Sequence, residues 1–133
     1  MKHEAIVYGN APSKANQYKI ITLCGHGSLA KTKALKEYEE KFYLQCCYRN
    51  KNIQGFFELY VDVYFHSNQP DLDNSLKCLL DCLQSCKAIK NDRNCVKIVA
   101  QKFIDKNNPR TEFTLVEVNG VVQKDTKQPQ LFG

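Results

Sequence analysis

The stretch that decides the fold of this chain is PDLDNSLKCLLDCLQSCKAIKND, residues 70–92. Pro70 disfavours helix at the residue before it, so a preceding strand should end there. Asp73 or Asn74 is a suitable N-cap for the helix that follows, because its side-chain oxygen can accept a free backbone N–H. At about 100° per residue, leucines and cysteines cover most of this helix and leave one narrow polar stripe. The stretch therefore predicts a helix that is buried on its wide side and presents acids, amides and a lysine on the other.

Oxygen donors at the two ends of this stretch suit a hard divalent cation. Asp71 and Asp73 lie at the strand-to-helix junction, and Asn91 and Asp92 follow the helix after a short loop. Mg²⁺ takes oxygen ligands in octahedral geometry and usually binds only a few protein carboxylates. The structural alternative is that Asp73 caps the helix, Asp71 belongs to a turn, and Asp81 pairs with Lys77 on the surface at i,i+4 spacing. The residues alone leave both interpretations open.

The longer pattern D-L-D-N-x-x-K-x-x-x-D-x-L, followed after a short gap by an aspartate and a strand, resembles the RusA family of Holliday-junction resolvases. Residues 11–18 are similar to an N-terminal segment of that family, and the resemblance covers about residues 5–118. It implies that Asp71, Asp73 and Asp92 hold catalytic Mg²⁺ and that Lys77 is needed for cleavage. The residues that carry the pattern are Asp71, Asp73, Asn74, Lys77, Asp81, Leu83 and Asp92.

The resemblance implies a Mg²⁺-dependent endonuclease, with Mn²⁺ as a substitute, that resolves four-way DNA junctions by paired phosphodiester hydrolysis in recombination and repair. Resolution needs two opposed cuts, so a two-fold homodimer is expected. Asn74, Asp81 and Asn91 are expected to support the site. Asn91 departs from the family, which usually has paired acids there. The alternative is a junction-binding protein with impaired catalysis.

The positive charge of the chain fits a polyanionic partner. The formal net charge is +5, carried by sixteen lysines against three arginines. Lysine suits phosphate contacts better than base recognition, because bidentate recognition of guanine favours arginine. Lys14, Lys31, Lys33 and Arg93 are the candidate DNA contacts, although a solvated helix face also explains Lys31 and Lys33. A basic α/β domain with an unrelated partner is the remaining alternative.

Hydrophobic periodicity predicts the other elements. A helix is expected over residues 29–48 with Ser28 as its cap, and the last two strands are expected to form a hairpin. The strand–helix–strand order through residues 56–103 predicts an α+β fold, a single domain over residues 1–119 with a mixed β-sheet and two main helices packed on it. The expected strands cover residues 4–8, 18–24, 56–66, 95–103 and 111–118.

The cysteines predict reduced thiols and a cytoplasmic location. There are seven of them, and Met-Lys-His-Glu is not followed by an apolar signal core. We expect a bacterial or phage-encoded protein associated with the nucleoid and not with a membrane. Core packing is favoured over zinc binding, because the helical cysteines fall on the leucine side. The helical cysteines are Cys78, Cys82 and Cys86, and the same core packing is expected for Cys24, Cys46 and Cys47.

Residues 120–133 are predicted to form a flexible tail. The tail contains Gln128-x-x-Leu131-Phe132, which resembles the short peptide by which many bacterial DNA-processing proteins dock into the sliding clamp. Leu131 and Phe132 would be the two hydrophobic anchors. An inert chain end is the alternative.

Overall fold

A computed structural model of the protein describes residues 2–13 and 16–120, with Leu23 described by its backbone alone. The strands are β1 (Ala5–Tyr8), β2 (Tyr18–Leu23), β3 (His26–Lys31), β4 (Phe57–Phe65), β5 (Cys95–Ile104) and β6 (Arg110–Glu117). The helices are α1 (Lys33–Gln45) and α2 (Leu72–Ser85). The predicted α+β fold, with a mixed sheet and two main helices, is confirmed. No helix in the described part of the chain combines the length and apolar character needed to cross a membrane.

The main sheet has the strand order β1-β6-β4-β5, and β4 is its longest inner strand. Alternate β4 residues from Phe57 to Phe65 are buried, as the predicted alternation requires. β4 pairs antiparallel with β6 and parallel with β5. Parallel neighbours need a crossover, which α2 provides by returning the chain from the end of β4 to the start of β5. The β4 C-terminus and the α2 N-terminus therefore share one end of the sheet.

The predicted hairpin between the last two strands is wrong. β4 lies between β5 and β6, and the short connection after β5 crosses the end of β4. The N–H of Asp105 in that connection donates to the Phe65 carbonyl at 2.7 Å. The pairing of β5 with β6 was predicted because the two strands are adjacent in sequence. In the structure β4 lies between them, and its inward side chains form the centre of the core.

The predicted start of the first helix is also wrong. Residues 26–31 form β3, which pairs with β2 across a two-residue turn at Cys24 and Gly25. Both turn residues have positive φ, 50° and 80°, as the tight turn favoured in hairpins requires. Thr32, not Ser28, caps α1, because its hydroxyl accepts the Leu35 N–H at 3.2 Å.

Side chains of both helices pack in one core with the main sheet. Phe42 of α1 stacks on Phe113 of β6 with ring centroids 5.9 Å apart, and Leu83 of α2 is fully buried. The predicted core packing of cysteines is confirmed for Cys46, Cys78, Cys82 and Cys86. It is wrong for Cys24 and Cys47, which are exposed because one lies in the hairpin turn and the other follows the end of α1.

Candidate functional site

A cleft of about 560 Å³ opens at the end of the sheet where β4 leads into α2. Its walls are the loop that precedes α2, the first turns of α2 and residues 10–13 after β1. Four residues singled out from the sequence line this one cleft: Asp71, Asp73, Asn74 and Lys77. The fold therefore brings together the acidic and basic groups of the first half of the motif.

Asp71 occupies the N-cap position of α2 without capping it. Its backbone is extended, with φ −89° and ψ 137°, and its side chain makes no capping hydrogen bond. The expected cap at Asp73 or Asn74 is wrong, because the helix begins at Leu72, which packs against the core. Asp71 is exposed, so its carboxylate is free to bind a cation.

Asp73 and Lys77 lie one turn apart on the exposed side of α2. Asp73 Oδ1 accepts the Asn74 N–H at 2.9 Å, which fixes the carboxylate at the start of the helix. Asp73 lies in the first turn of α2, where the positive end of the helix dipole attracts negative charge. A carboxylate has a second oxygen to offer, and the Lys77 ammonium lines the same cleft. The arrangement can hold a hard cation and a phosphate side by side.

Lys102 of β5 supports the loop that carries the acids. Its Nζ donates to the carbonyls of Asn68 at 3.0 Å and Pro70 at 2.7 Å, and lies 5.4 Å from the centre of the Phe65 ring. Lys102 was not among the residues expected from the sequence. Only the parallel register, which places it opposite Val63, brings it to this loop.

Lys102→Met is expected to lower the free energy of unfolding by about 1–2 kcal/mol, because two charge-assisted hydrogen bonds are lost. Urea denaturation followed by circular dichroism measures the change. Lys106→Met, in the exposed connection after β5, is the matched control and should change stability by less than about 0.5 kcal/mol. Equal stability of the two variants would contradict a supporting role for Lys102.

Asp92 lies near the other end of α2. It begins a short 3-10 turn, Asp92–Asn94, and its N–H donates to Gln84 Oε1 at 3.1 Å. Gln84 follows Asp73 by eleven residues, so it lies about 16 Å further along the helix at 1.5 Å per residue. Among the described residues, no three or more His, Cys, Asp and Glu side chains are grouped to hold a metal ion. One subunit therefore brings Asp71 and Asp73 together without Asp92.

Asp81 lies on α2 between Asp73 and Gln84, with both positive and negative side chains near it. Burial raises the pKa of its carboxyl group above the ordinary range. The positive charges of Lys77 and Lys31 lower this pKa, while the negative charges of Asp92 and Glu39 raise it further. Asp81 lines a small cavity outside the cleft of Asp71 and Asp73. Its position fits a residue that orients Lys77 better than one that binds a metal.

The other predicted site residues have separate local roles. Asn91 Oδ1 accepts the Arg93 N–H at 3.0 Å, so Asn91 caps the 3-10 turn that begins at Asp92. Arg93 is exposed beside Asp92. The side chain of Lys33 is 90% exposed, with Nζ 3.9 Å from Glu37 Oε1.

Lys31 is held by a partner within the subunit. Its Nζ donates to Glu39 Oε2 at 3.0 Å, and this hydrogen bond raises the pKa of Lys31. Lys31 therefore has less free charge to offer DNA than its sequence position suggested. The remaining candidate contacts lie outside the described residues: Lys14, Gln128, Leu131 and Phe132.

Comparison with known proteins adds one match. The family model described as endodeoxyribonuclease RusA matches residues 11–116, which include α2, Asp92 and every residue that lines the cleft except Asn10. No curated protein matches the chain.

Proposed function

We propose that this chain, which belongs to the RusA endodeoxyribonuclease family, is a Mg²⁺-dependent enzyme that resolves four-way DNA junctions in recombination and repair. Family membership supports the nuclease activity and the branched substrate. The observation that carries the proposal is the cleft, in which Asp71, Asp73 and Lys77 stand together at one helix end. Mn²⁺ is expected to substitute for Mg²⁺, because both ions accept carboxylate oxygen ligands.

Each residue of the cleft has a separate proposed role in the reaction. Asp71 and Asp73 would hold the metal ion, since carboxylate oxygens are the ligands that Mg²⁺ prefers. When bound, the ion would lower the pKa of a water molecule and offset negative charge in the transition state. Lys77 would contact a phosphate oxygen and stabilise the charge that develops there. The Asn74 N–H keeps Asp73 oriented through its 2.9 Å hydrogen bond.

The position of Asp92 supports a site shared between two subunits. Within one subunit about 16 Å of helix separates Asp73 from the neighbourhood of Asp92, whereas the ligands of one Mg²⁺ ion lie about 2.1 Å from it. Leu79 and Leu83 of α2 are buried, so their packing holds this length of helix against the core. We therefore propose a two-fold homodimer in which Asp92 of the partner subunit joins Asp71 and Asp73. Two such sites would make the two opposed cuts that a junction requires.

A junction-binding protein with impaired catalysis is the second candidate. The observation in its favour is that the described residues of one subunit hold no complete metal-ligand group. The neutral Asn91, at a position where acids are usual in the family, is a second point in favour of this candidate. Its side-chain oxygen caps the turn before β5, a role that asparagine and aspartate fill about equally well.

Phosphate contacts are proposed for two exposed cations, Lys33 at the start of α1 and Arg93 in the 3-10 turn after α2. Lys33 and Arg93 are the strongest candidates. Lys31 would contact a phosphate only after its ion pair with Glu39 breaks. A role for Lys14 and docking of the tail to a sliding clamp are proposals that rest on sequence alone. The enzyme would act on bacterial or phage DNA in the cytoplasm, in association with the nucleoid.

Cleavage of a synthetic four-way junction with strand mapping tests the function. With Mg²⁺ we expect paired, symmetrical nicks, and with Ca²⁺ or EDTA we expect binding without cleavage. Binding without cleavage in Mg²⁺ would favour the second candidate. A junction affinity that hardly changes with salt concentration would contradict phosphate-dominated binding altogether.

A further inference from the structure

The hairpin of β2 and β3 presents a bare apolar face. Ile20 and Leu29 lie directly opposite each other, and 78% and 72% of their surfaces are exposed. Tyr18, two residues before Ile20 on the same face, is also exposed. A two-stranded hairpin is only marginally stable in water without further packing. Exposed apolar residues grouped in this way mark a surface that another molecule covers.

The base of the hairpin is joined to α1. Lys31 Nζ donates to Glu39 Oε2 of α1 at 3.0 Å, and Thr32, which follows β3, caps the same helix. The N–H of Thr32 also donates to the Gln17 carbonyl at 3.0 Å, which closes the base of the hairpin itself. The hairpin is thus fixed against the body of the subunit at one end and extends from it at the other.

The chemistry of this face argues against DNA as its cover. Ile20 and Leu29 carry no hydrogen-bond donor for a phosphate. Lys31, the cation that lies on the same face opposite Tyr18, is already paired with Glu39 at 3.0 Å. Apolar side chains of this kind pack best against apolar side chains of a protein.

The location of the face points to a second copy of this chain. Tyr18 and Lys31, at the hairpin base, line the same small cavity as Asp81. Gln84, three residues after Asp81 on α2, accepts the Asp92 N–H through its side chain at 3.1 Å. Asp92 is the residue that the proposed shared site assigns to the boundary between subunits. The apolar face therefore begins near Asp92, the residue through which the proposed metal site requires a partner subunit.

We propose that the face formed by Tyr18, Ile20 and Leu29 packs against a second copy of this chain and holds the homodimer together, an inference that rests on the shared site proposed above. The contact is reciprocal about a two-fold axis, so each subunit contributes its own hairpin. The apolar side chains supply the association energy, and the neighbouring acids complete the active sites.

Sedimentation of charged variants over a micromolar concentration range tests this assignment. Ile20→Asp and Leu29→Asp should each raise the dimer dissociation constant at least about thirtyfold, as expected when a central interface residue is lost. Leu44→Asp is the matched control, because Leu44 is 74% exposed and lies in the last turn of α1, whereas the hairpin precedes the first turn. It should leave the dimer unchanged. Leu29→Met should also remain dimeric, which separates lost apolar contact from a damaged fold.

The outcomes distinguish this inference from the proposed function. Ile20→Asp and Leu29→Asp proteins that remain dimeric would overturn the inference, even if the wild type cleaves junctions as proposed. A wild type that is monomeric throughout the range would overturn it as well, and so would variants that stay dimeric but no longer bind junctions. A dimer that dissociates as expected, in a protein that cuts no junction, would support the inference and reject the nuclease function.

Discussion

Asp73→Asn is expected to slow junction cleavage by more than about a hundredfold, because loss of a group that merely supports a metal ligand already costs up to that much. Binding of the junction should be unchanged or tighter. The substitution keeps the shape of the side chain and removes one negative charge beside the phosphate, so repulsion of the substrate falls. Rates measured under single-turnover conditions, together with affinities measured in Ca²⁺, separate the two effects.

Glu40→Gln is the matched control for this variant. It removes the same charge from an exposed position on α1, outside the cleft, and should cleave at the wild-type rate. An Asp73→Asn enzyme that cleaves like the control would show that Asp73 holds no metal. Loss of junction binding in Asp73→Asn alone would assign this residue to substrate contact instead.

The elements with the strongest patterns were predicted well from the sequence. β4 alternates strictly between buried and half-exposed residues, and α2 buries leucines and cysteines on one side, as their spacing indicated. Both elements lie at the centre of the fold, where burial decides which face points inward. Their order along the chain already placed Asp71 and Asp73 at a strand-to-helix junction.

Two features of strand pairing were not predicted. Residues 29–31 of β3 were expected to begin the first helix, because β3 shows no alternation of buried positions and its pairing with β2 depends on a tight turn. The β5–β6 pairing failed for a related reason. The sequence shows which two strands are adjacent along the chain but not that β4 separates them in the sheet.

Some residues of the candidate site could be predicted from the sequence, and others could not. Asp71, Asp73, Asn74 and Lys77 follow one another along a single helix, so their meeting in one cleft could be predicted from spacing. The support from Lys102 depends on the register between β4 and β5, which no local pattern fixes. The position of Asp92 depends on the length and direction of the crossover helix. The motif shows these residues as one group, whereas the fold of one subunit separates them.

Mixed dimers test the shared metal site most directly. Asp73→Asn and Asp92→Asn subunits, co-expressed with different tags and purified as heterodimers, would contain one site with both substitutions and one site with none. Each homodimer should be inactive, whereas the heterodimer should nick junctions at about half the wild-type rate, because one of its two equivalent sites is intact. The nicks should be single rather than paired.

A heterodimer of Asp73→Asn and Asp71→Asn subunits is the control, because each of its sites then carries one substitution and no activity should return. The decisive measurement is the nicking rate of the Asp73→Asn and Asp92→Asn heterodimer relative to that control. Recovery to about half the wild-type rate is the result expected for Asp92 of the partner subunit acting beside Asp71 and Asp73. A purified heterodimer as inactive as the control would contradict a site shared between subunits.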